Sequence, residues 1–161
     1  MSILVTGGTG FIGSHTVVEL IEAGETPIIV DNLSNSKEIV LDRIETITGK
    51  RPKFYKVDLC DAEALDAVFA ENPDIESVIH FAGLKAVGES VAVPLRYYFN
   101  NLVSTLNLCE AMKKYDVRII VFSSSATVYG DPAEIPIKET TPCPSSSPAE
   151  PASSAPTPSS S

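Results

Sequence analysis

Ile3-Leu4-Val5-Thr6-Gly7-Gly8-Thr9-Gly10-Phe11-Ile12-Gly13 is a short apolar run, then glycines, then the opening of a helical pattern. Ile12, Thr16, Val17 and Leu20 recur at helical spacing on one face, so the glycines form the turn between a first strand and a first helix. Gly8-x-Gly10-x-x-Gly13 has the spacing of a dinucleotide-binding turn. Its glycines allow a tight bend, a close approach of backbone to a pyrophosphate, and close packing of helix on strand. The unpaired N–H groups and positive dipole end of the helix favour an anion without any side-chain charge. The next apolar run, Ile28-Ile29-Val30, ends in Asp31, eighteen residues past Gly13. A carboxylate there suits the adenine ribose hydroxyls and repels a 2′-phosphate. No arginine occurs from Asn32 to Lys37, which favours NAD over NADP, with Lys37 the one cation in that window.

Outward from this turn the chain alternates. Gly24 follows the first helix, Pro27 opens the second strand, and Asn32-Leu33-Ser34-Asn35-Ser36 is a polar loop. Ile39, Leu41, Ile44 and Ile47 mark a helix closing at Gly49. A third strand, Phe54 to Val57, runs into Asp58-Leu59, where the carboxylate either accepts from an adenine amino group or caps the next helix with Asp61. Leu65, Val68 and Phe69 predict a helix ending near Asn72-Pro73, and Ser77 to Phe81 a fourth strand leading into Ala82-Gly83. A long helix runs from Ser90 or Pro94 to Tyr115, with Leu95, Tyr98, Leu102, Leu106, Leu108 and Met112 as its packing residues. Val117 to Phe122 is an apolar run broken only by Arg118, as expected of a strand covered on both faces, and Ser123-Ser124-Ser125 follows. The expectation is an α/β protein: a Rossmann-type, right-handed, doubly wound parallel sheet truncated after about five strands.

At 161 residues there is room for one domain, and a hydrophobic fraction of 43% is enough for a core. A net charge of −9 without blocks of lysine or arginine argues against nucleic acid as a partner. No apolar stretch approaches the roughly 20 residues of a membrane span, and Met1-Ser2-Ile3 does not begin a secretory signal, so a soluble, cytoplasmic protein is expected. Cys60, Cys109 and Cys143 lack metal-type spacing and read as free thiols. His80, at a strand end, reads as a satisfied structural histidine, and His15 as a packing or capping residue. From Pro142 the composition turns to proline and serine with no large apolar residue, which predicts a domain over 1–141 and a disordered tail over 142–161.

Several stretches together resemble the N-terminal part of the UDP-glucose 4-epimerases, within the extended short-chain dehydrogenase/reductases. They are Thr6 to His15, Asp31-Asn32-Leu33, His80 to Ser90, Asn100-Asn101 and Phe122 to Gly130. In that family NAD removes a hydride from C4 of a UDP-hexose, the 4-keto sugar rotates, and the hydride returns to the opposite face. The resemblance implies that Gly7, Gly10, Phe11, Ile12 and Gly13 hold the pyrophosphate and that Asp31, Asn32, Asn35 and Ser36 contact adenosine. It places Asp58 and Leu59 beside adenine, and Phe81, Ala82, Gly83, Lys85, Asn100 and Ser123 towards the ribose and nicotinamide. Ser125 matches the serine that orients the reacting sugar hydroxyl, and a homodimer is the family's assembly. The family's Tyr-x-x-x-Lys pair has no match here, because no tyrosine or lysine occurs after Lys138. A positioned base is typically worth ~10²–10⁴-fold in rate, so these 161 residues are expected to be a cofactor-binding half without turnover. Two alternatives are an interaction module that recruits a partner through its tail, and an unstable truncated product.

Overall fold

The computed structural model describes residues 2–124 together with Pro136, Lys138 and Thr140. The chain divides into two compact units, Met1–Ser123 and Ser124–Ser161. The calls on Ser125 and on the 142–161 tail lie outside the described residues.

The first unit alternates strands and helices. In order they are β1 (Ser2–Thr6), α1 (Phe11–Glu22), β2 (Thr26–Asp31), α2 (Ile39–Thr48), β3 (Lys53–Lys56), α3 (Ala62–Glu71), β4 (Ile75–His80), α4 (Val87–Ala92), α5 (Pro94–Lys114) and β5 (Ile119–Phe122). The strands form one sheet in the order β3-β2-β1-β4-β5, and every neighbouring pair is parallel. Successive side chains of a strand point to opposite faces, which splits the core in two. Leu4, Ile28 and Val30 face one layer with Val68, Phe69, Leu108 and Met112, while Val5 and Ile29 face the other with Val17, Ile21, Leu41 and Ile44. Thus α1 and α2 cover one face and α3 and α5 the other, the doubly wound arrangement expected of this sequence.

Local chemistry sets the helix ends. Asp61 caps α3 by accepting from the Ala64 N–H at 3.0 Å, Gly49 ends α2 in a left-handed conformation, and Pro94 occupies the first turn of α5 with Lys113 and Lys114 in its last.

Three details differ from the sequence reading. The buried side of α1 is Gly13, Val17 and Ile21, with Ile12 exposed, because Gly13 must lie against the glycine turn and this rotates the helix. Of the two starts expected for the long helix, Pro94 is the one found, behind a separate one-and-a-half-turn α4, since Pro94 supplies no N–H to continue the earlier helix. On α5 the buried residues are Tyr97, Ser104, Leu108, Ala111 and Met112, while Leu95, Tyr98, Leu102 and Leu106 are exposed. The β5 side chains are likewise exposed rather than covered on both faces, β5 being an outermost strand of the sheet among the described residues.

Candidate functional site

Where β1 gives way to α1 the backbone is drawn in unusually close. Gly7 has φ +68°, and a Cβ there would stand 2.8 Å from the Ala82 nitrogen. A Cβ on Gly13 would collide with the Gly7 carbonyl oxygen. No other residue fits either place without moving backbone. Gly7 donates its N–H to the Val30 carbonyl at 2.8 Å and Gly10 donates to Gly7 at 3.0 Å, so the turn is fixed from both sides. Gly10 is the N-cap of α1 and offers no side chain, and the first α1 turn carries no acid. The N–H groups of Phe11, Ile12 and Gly13 therefore open towards the groove with the positive end of the helix dipole behind them.

That groove, of about 200 Å³, is lined by Gly7, Gly10, Phe11, Ile12 and Gly13 on one side and by Phe81, Ala82, Gly83 and Lys85 on the other, with Asp31 and Asn35 at its end. A second hollow of about 60 Å³ lies beyond, between Val57, Leu59, Asn32, Asn100 and Ser104. The two share Asp31, Asn35, Ala82 and Gly83 in their walls. An anion-binding helix end thus leads past a carboxylate to a slot with Val57, Leu59 and Leu84 among asparagines and serines, a sequence of environments that suits diphosphate, ribose and base in turn.

Asp31 ends β2 and is buried. Its Oδ2 accepts from the Thr9 N–H at 3.2 Å, and its Oδ1 accepts from the Leu33 N–H at 2.9 Å and the Ser36 hydroxyl at 3.2 Å. Thr9 and Ser36 also join through their hydroxyls at 2.7 Å. The carboxylate thereby holds Leu33, at φ +60°, in a left-handed conformation that a leucine rarely adopts. Ser36 stands behind Asp31 and does not line either hollow.

Asp58 also stands back from both hollows. Its Oδ1 accepts from the Cys60 N–H at 2.9 Å and its Oδ2 from the Asn32 amide at 3.0 Å. The Cys60 bond above all, assisted by Asn32, holds this carboxyl below the usual carboxylate range. Cys60, half-buried beside it, has its thiol pushed up by burial and by the Asp58 charge. Ser123 continues the β4–β5 ladder through its N–H to the His80 carbonyl at 3.1 Å and lines neither hollow.

Fourteen of the eighteen expected site residues thus border the two hollows; Ser36, Asp58 and Ser123 stand outside them, and Ser125 is not among the described residues. The walls also include residues that the sequence did not single out, Val57, Leu84 and Ser104, and Thr9 supports them from behind. Thr9 occupies the position between Gly8 and Gly10 that the glycine spacing leaves unspecified, and the others reach the site only through the sheet order. Among the described residues no group of three or more His, Cys, Asp or Glu could hold a metal ion, and no helix is long and apolar enough to cross a membrane.

Residues 3–150 match the family described as NAD dependent epimerase/dehydratase. The chain is 65% identical over 139 residues to UDP-glucose 4-epimerase of Bacillus subtilis (strain 168), covering 86% of this chain and 41% of that one. It is 59% identical over 146 residues to UDP-glucose 4-epimerase of Dictyostelium discoideum, covering 91% and 42%. Among solved structures, UDP-glucose 4-epimerase from Bifidobacterium longum in complex with NAD+ and UDP superposes with a TM-score of 0.84 at 57% identity, over 89% of this chain and 42% of that one. The enzyme from Stenotrophomonas maltophila, with bound NAD and formylated UDP-arabinopyranose, gives 0.82 at 45% identity, over 89% and 42%. The chain spans about two fifths of the length of these relatives.

Proposed function

The chain belongs to the NAD dependent epimerase/dehydratase family, and from that premise we propose that it is the NAD-binding portion of a UDP-glucose 4-epimerase. The observation that carries this reading is the pair of hollows joined at Asp31: a glycine cradle and open helix end on one side, a slot of mixed apolar and amide-bearing residues on the other. The residues fit the cofactor. Phe11, Ile12 and Gly13 N–H groups receive the diphosphate and Lys85 adds a positive charge to the same groove. Asp31 accepts from the adenosine ribose, with Asn32, Asn35 and Ser36 holding that loop. Leu59 flanks adenine, and Asp58 keeps Asn32 in place from below. Phe81, Ala82 and Gly83 form the wall towards the nicotinamide with Ser123 beyond it, while Asn100 lines the second hollow with Leu59. When bound, NAD supplies a hydride acceptor.

Ser125 is proposed as the orienter of the reacting sugar hydroxyl. Within these 161 residues no Tyr-x-x-x-Lys pair follows it, so the polypeptide as given is proposed to bind cofactor without interconverting UDP-glucose and UDP-galactose. UDP-hexose, a second copy of the chain, a cytoplasmic setting, and a 1–141 nucleotide-binding unit followed by an appended 142–161 segment belong to the same proposal. The exposed apolar side chains of α5, Leu95, Tyr98, Phe99, Leu102 and Leu106, support self-association.

Titration calorimetry with NAD and NADP on the purified chain tests the reading. Binding of NAD in preference to NADP is the expected result; a folded sample that binds neither would overturn it.

A further inference from the structure

His80 ends β4 and is only 2% exposed, and its ring makes two hydrogen bonds that join parts of the groove distant in sequence. Nδ1 meets the Thr6 hydroxyl at 2.6 Å, and Nε2 meets the Thr105 hydroxyl at 3.2 Å. The partners' own bonds decide which nitrogen carries the proton. Thr105 donates its hydroxyl to the Asn101 carbonyl at 2.8 Å, which can only accept, so Thr105 must accept from His80 Nε2–H. A neutral ring then has a bare Nδ1, and Thr6 donates to it. The Thr6 oxygen is left to accept, and it does so from the Ala82 N–H at 3.4 Å. One direction of donation runs through the whole relay: Ala82 to Thr6 to His80 to Thr105 to Asn101.

Both ends of the relay grip the same stretch of chain. Ala82 is the residue against which Gly7 packs, and the Asn101 side chain accepts from the Leu84 N–H at 2.8 Å and donates to the Leu84 carbonyl at 3.0 Å. Thr6 immediately precedes Gly7. The relay therefore links the two walls of the groove, with Thr6 and His80 buried at its centre and Ala82, Thr105 and Asn101 half-buried at its ends.

We propose that His80, fixed as the neutral Nε2–H tautomer between Thr6 and Thr105, is the positioning residue that sets the 82–84 wall of the groove against the glycine turn. This rests on the reading of the groove as an NAD site, but its geometry can be tested without the cofactor. Burial and the nearby Lys85 charge keep the ring neutral, with its pKa lowered to about 4. Phe122, whose ring centroid lies 5.4 Å away, closes the side towards β5.

The test uses the full 161-residue chain. Imidazole ¹⁵N shifts should report the Nε2–H tautomer, and a Nδ1–H tautomer overturns the relay. His80→Phe removes both bonds and should speed amide hydrogen exchange at Ala82 and Leu84 and weaken NAD binding about tenfold. His80→Asn, whose Oδ1 can replace Nδ1 as the acceptor for Thr6, should recover most of both. A folded His80→Phe chain with wild-type exchange at Ala82 and wild-type NAD affinity overturns the proposal. Should His80→Phe fail to fold, Thr105→Val, which removes the acceptor for Nε2–H, carries the same expectations and the same refutation. Absence of NAD binding by the wild-type chain would defeat the proposed function alone, since the tautomer and the Ala82 and Leu84 exchange rates still decide the relay.

Discussion

Gly7 and Ala82 meet backbone to backbone: a Cβ on Gly7 would lie 2.8 Å from the Ala82 nitrogen and 3.0 Å from its Cα. This contact brings the turn after β1 and the segment after β4 within one groove, and it sets the terms on which the glycine can be replaced.

Gly7→Ala meets two penalties, a left-handed φ and a backbone collision, whereas Gly24→Ala, at φ +88° with nothing within 4 Å, meets only the first. The left-handed conformation costs about 1–2 kcal/mol for a residue with a Cβ, and overpacking adds roughly 1–3 kcal/mol. Urea denaturation should show Gly24→Ala mildly destabilised with NAD affinity intact, and Gly7→Ala more strongly destabilised with NAD binding lost. Equal effects at the two sites would refute the contact.

Asp31→Asn keeps the side-chain shape but removes the charge that accepts from Thr9, Leu33 and Ser36. Hydrogen bonds to a charged group are worth about 1.5–3 kcal/mol. The variant should bind NAD at least about tenfold more weakly and discriminate less against NADP, because the repulsion of a 2′-phosphate is gone. Competition calorimetry with both dinucleotides measures the ratio, and an unchanged ratio would place the selectivity elsewhere.

Asp61→Ala removes the acceptor for the Ala64 N–H at the start of α3. The expected loss is about 1 kcal/mol of stability, read from the denaturation midpoint, with no change in NAD affinity since Asp61 lines neither hollow.

Acid should destabilise the fold in two windows. His80 has an ordinary value of 6.5 and a folded value of about 4, so the unfolded chain takes up the proton first. Its contribution is complete above pH 6.5 and is lost as pH falls towards 4, with a slope of up to about 1.4 kcal/mol per pH unit. Asp58, whose pKa is lowered from 3.8, contributes stability above that value that is lost at lower pH, as it protonates. Denaturation curves between pH 7 and 4 should therefore flatten in His80→Phe, and an identical slope would show that the imidazole does not titrate as its surroundings dictate.

The exposed β5 residues Ile119, Val121 and Phe122 lie on an outermost strand, and the exposed α5 residues add further apolar surface. Unpaired apolar edges favour association. Sedimentation velocity on the 161-residue chain should show concentration-dependent oligomers, and Val121→Lys should shift them towards monomer. A monomer at all concentrations would count against an adhesive edge.

What could be read from the sequence was local. Gly8, Gly10 and Gly13 declare a strand–turn–helix junction by spacing alone, and Asp31 follows at the end of the next strand. Helix faces were less legible. On α1 the requirement that Gly13 touch the Gly7 carbonyl overrides the apolar pattern and leaves Ile12 outside. On α5 leucines and tyrosines occur all round, so periodicity does not select Tyr97, Leu108 and Met112 over Leu95 and Leu102. His80 reads correctly as structural, but its partners lie 74 and 25 positions away, and only the order of strands in the sheet brings Thr6 and Thr105 to it.

The place of β1 in the sheet also bears on how the chain is made. The first of these five strands to be synthesised ends at the centre, paired with β2 on one flank and with β4 on the other. Thr6 meets its partner His80 only after 74 further residues have been synthesised. Through that interval one margin of a strand with an Ile-Leu-Val centre has no mate, and long-range parallel pairing of this kind is slow to form. Translation tempo and chaperone access over the β2-to-β4 stretch therefore become determinants of how much of this polypeptide reaches its native form.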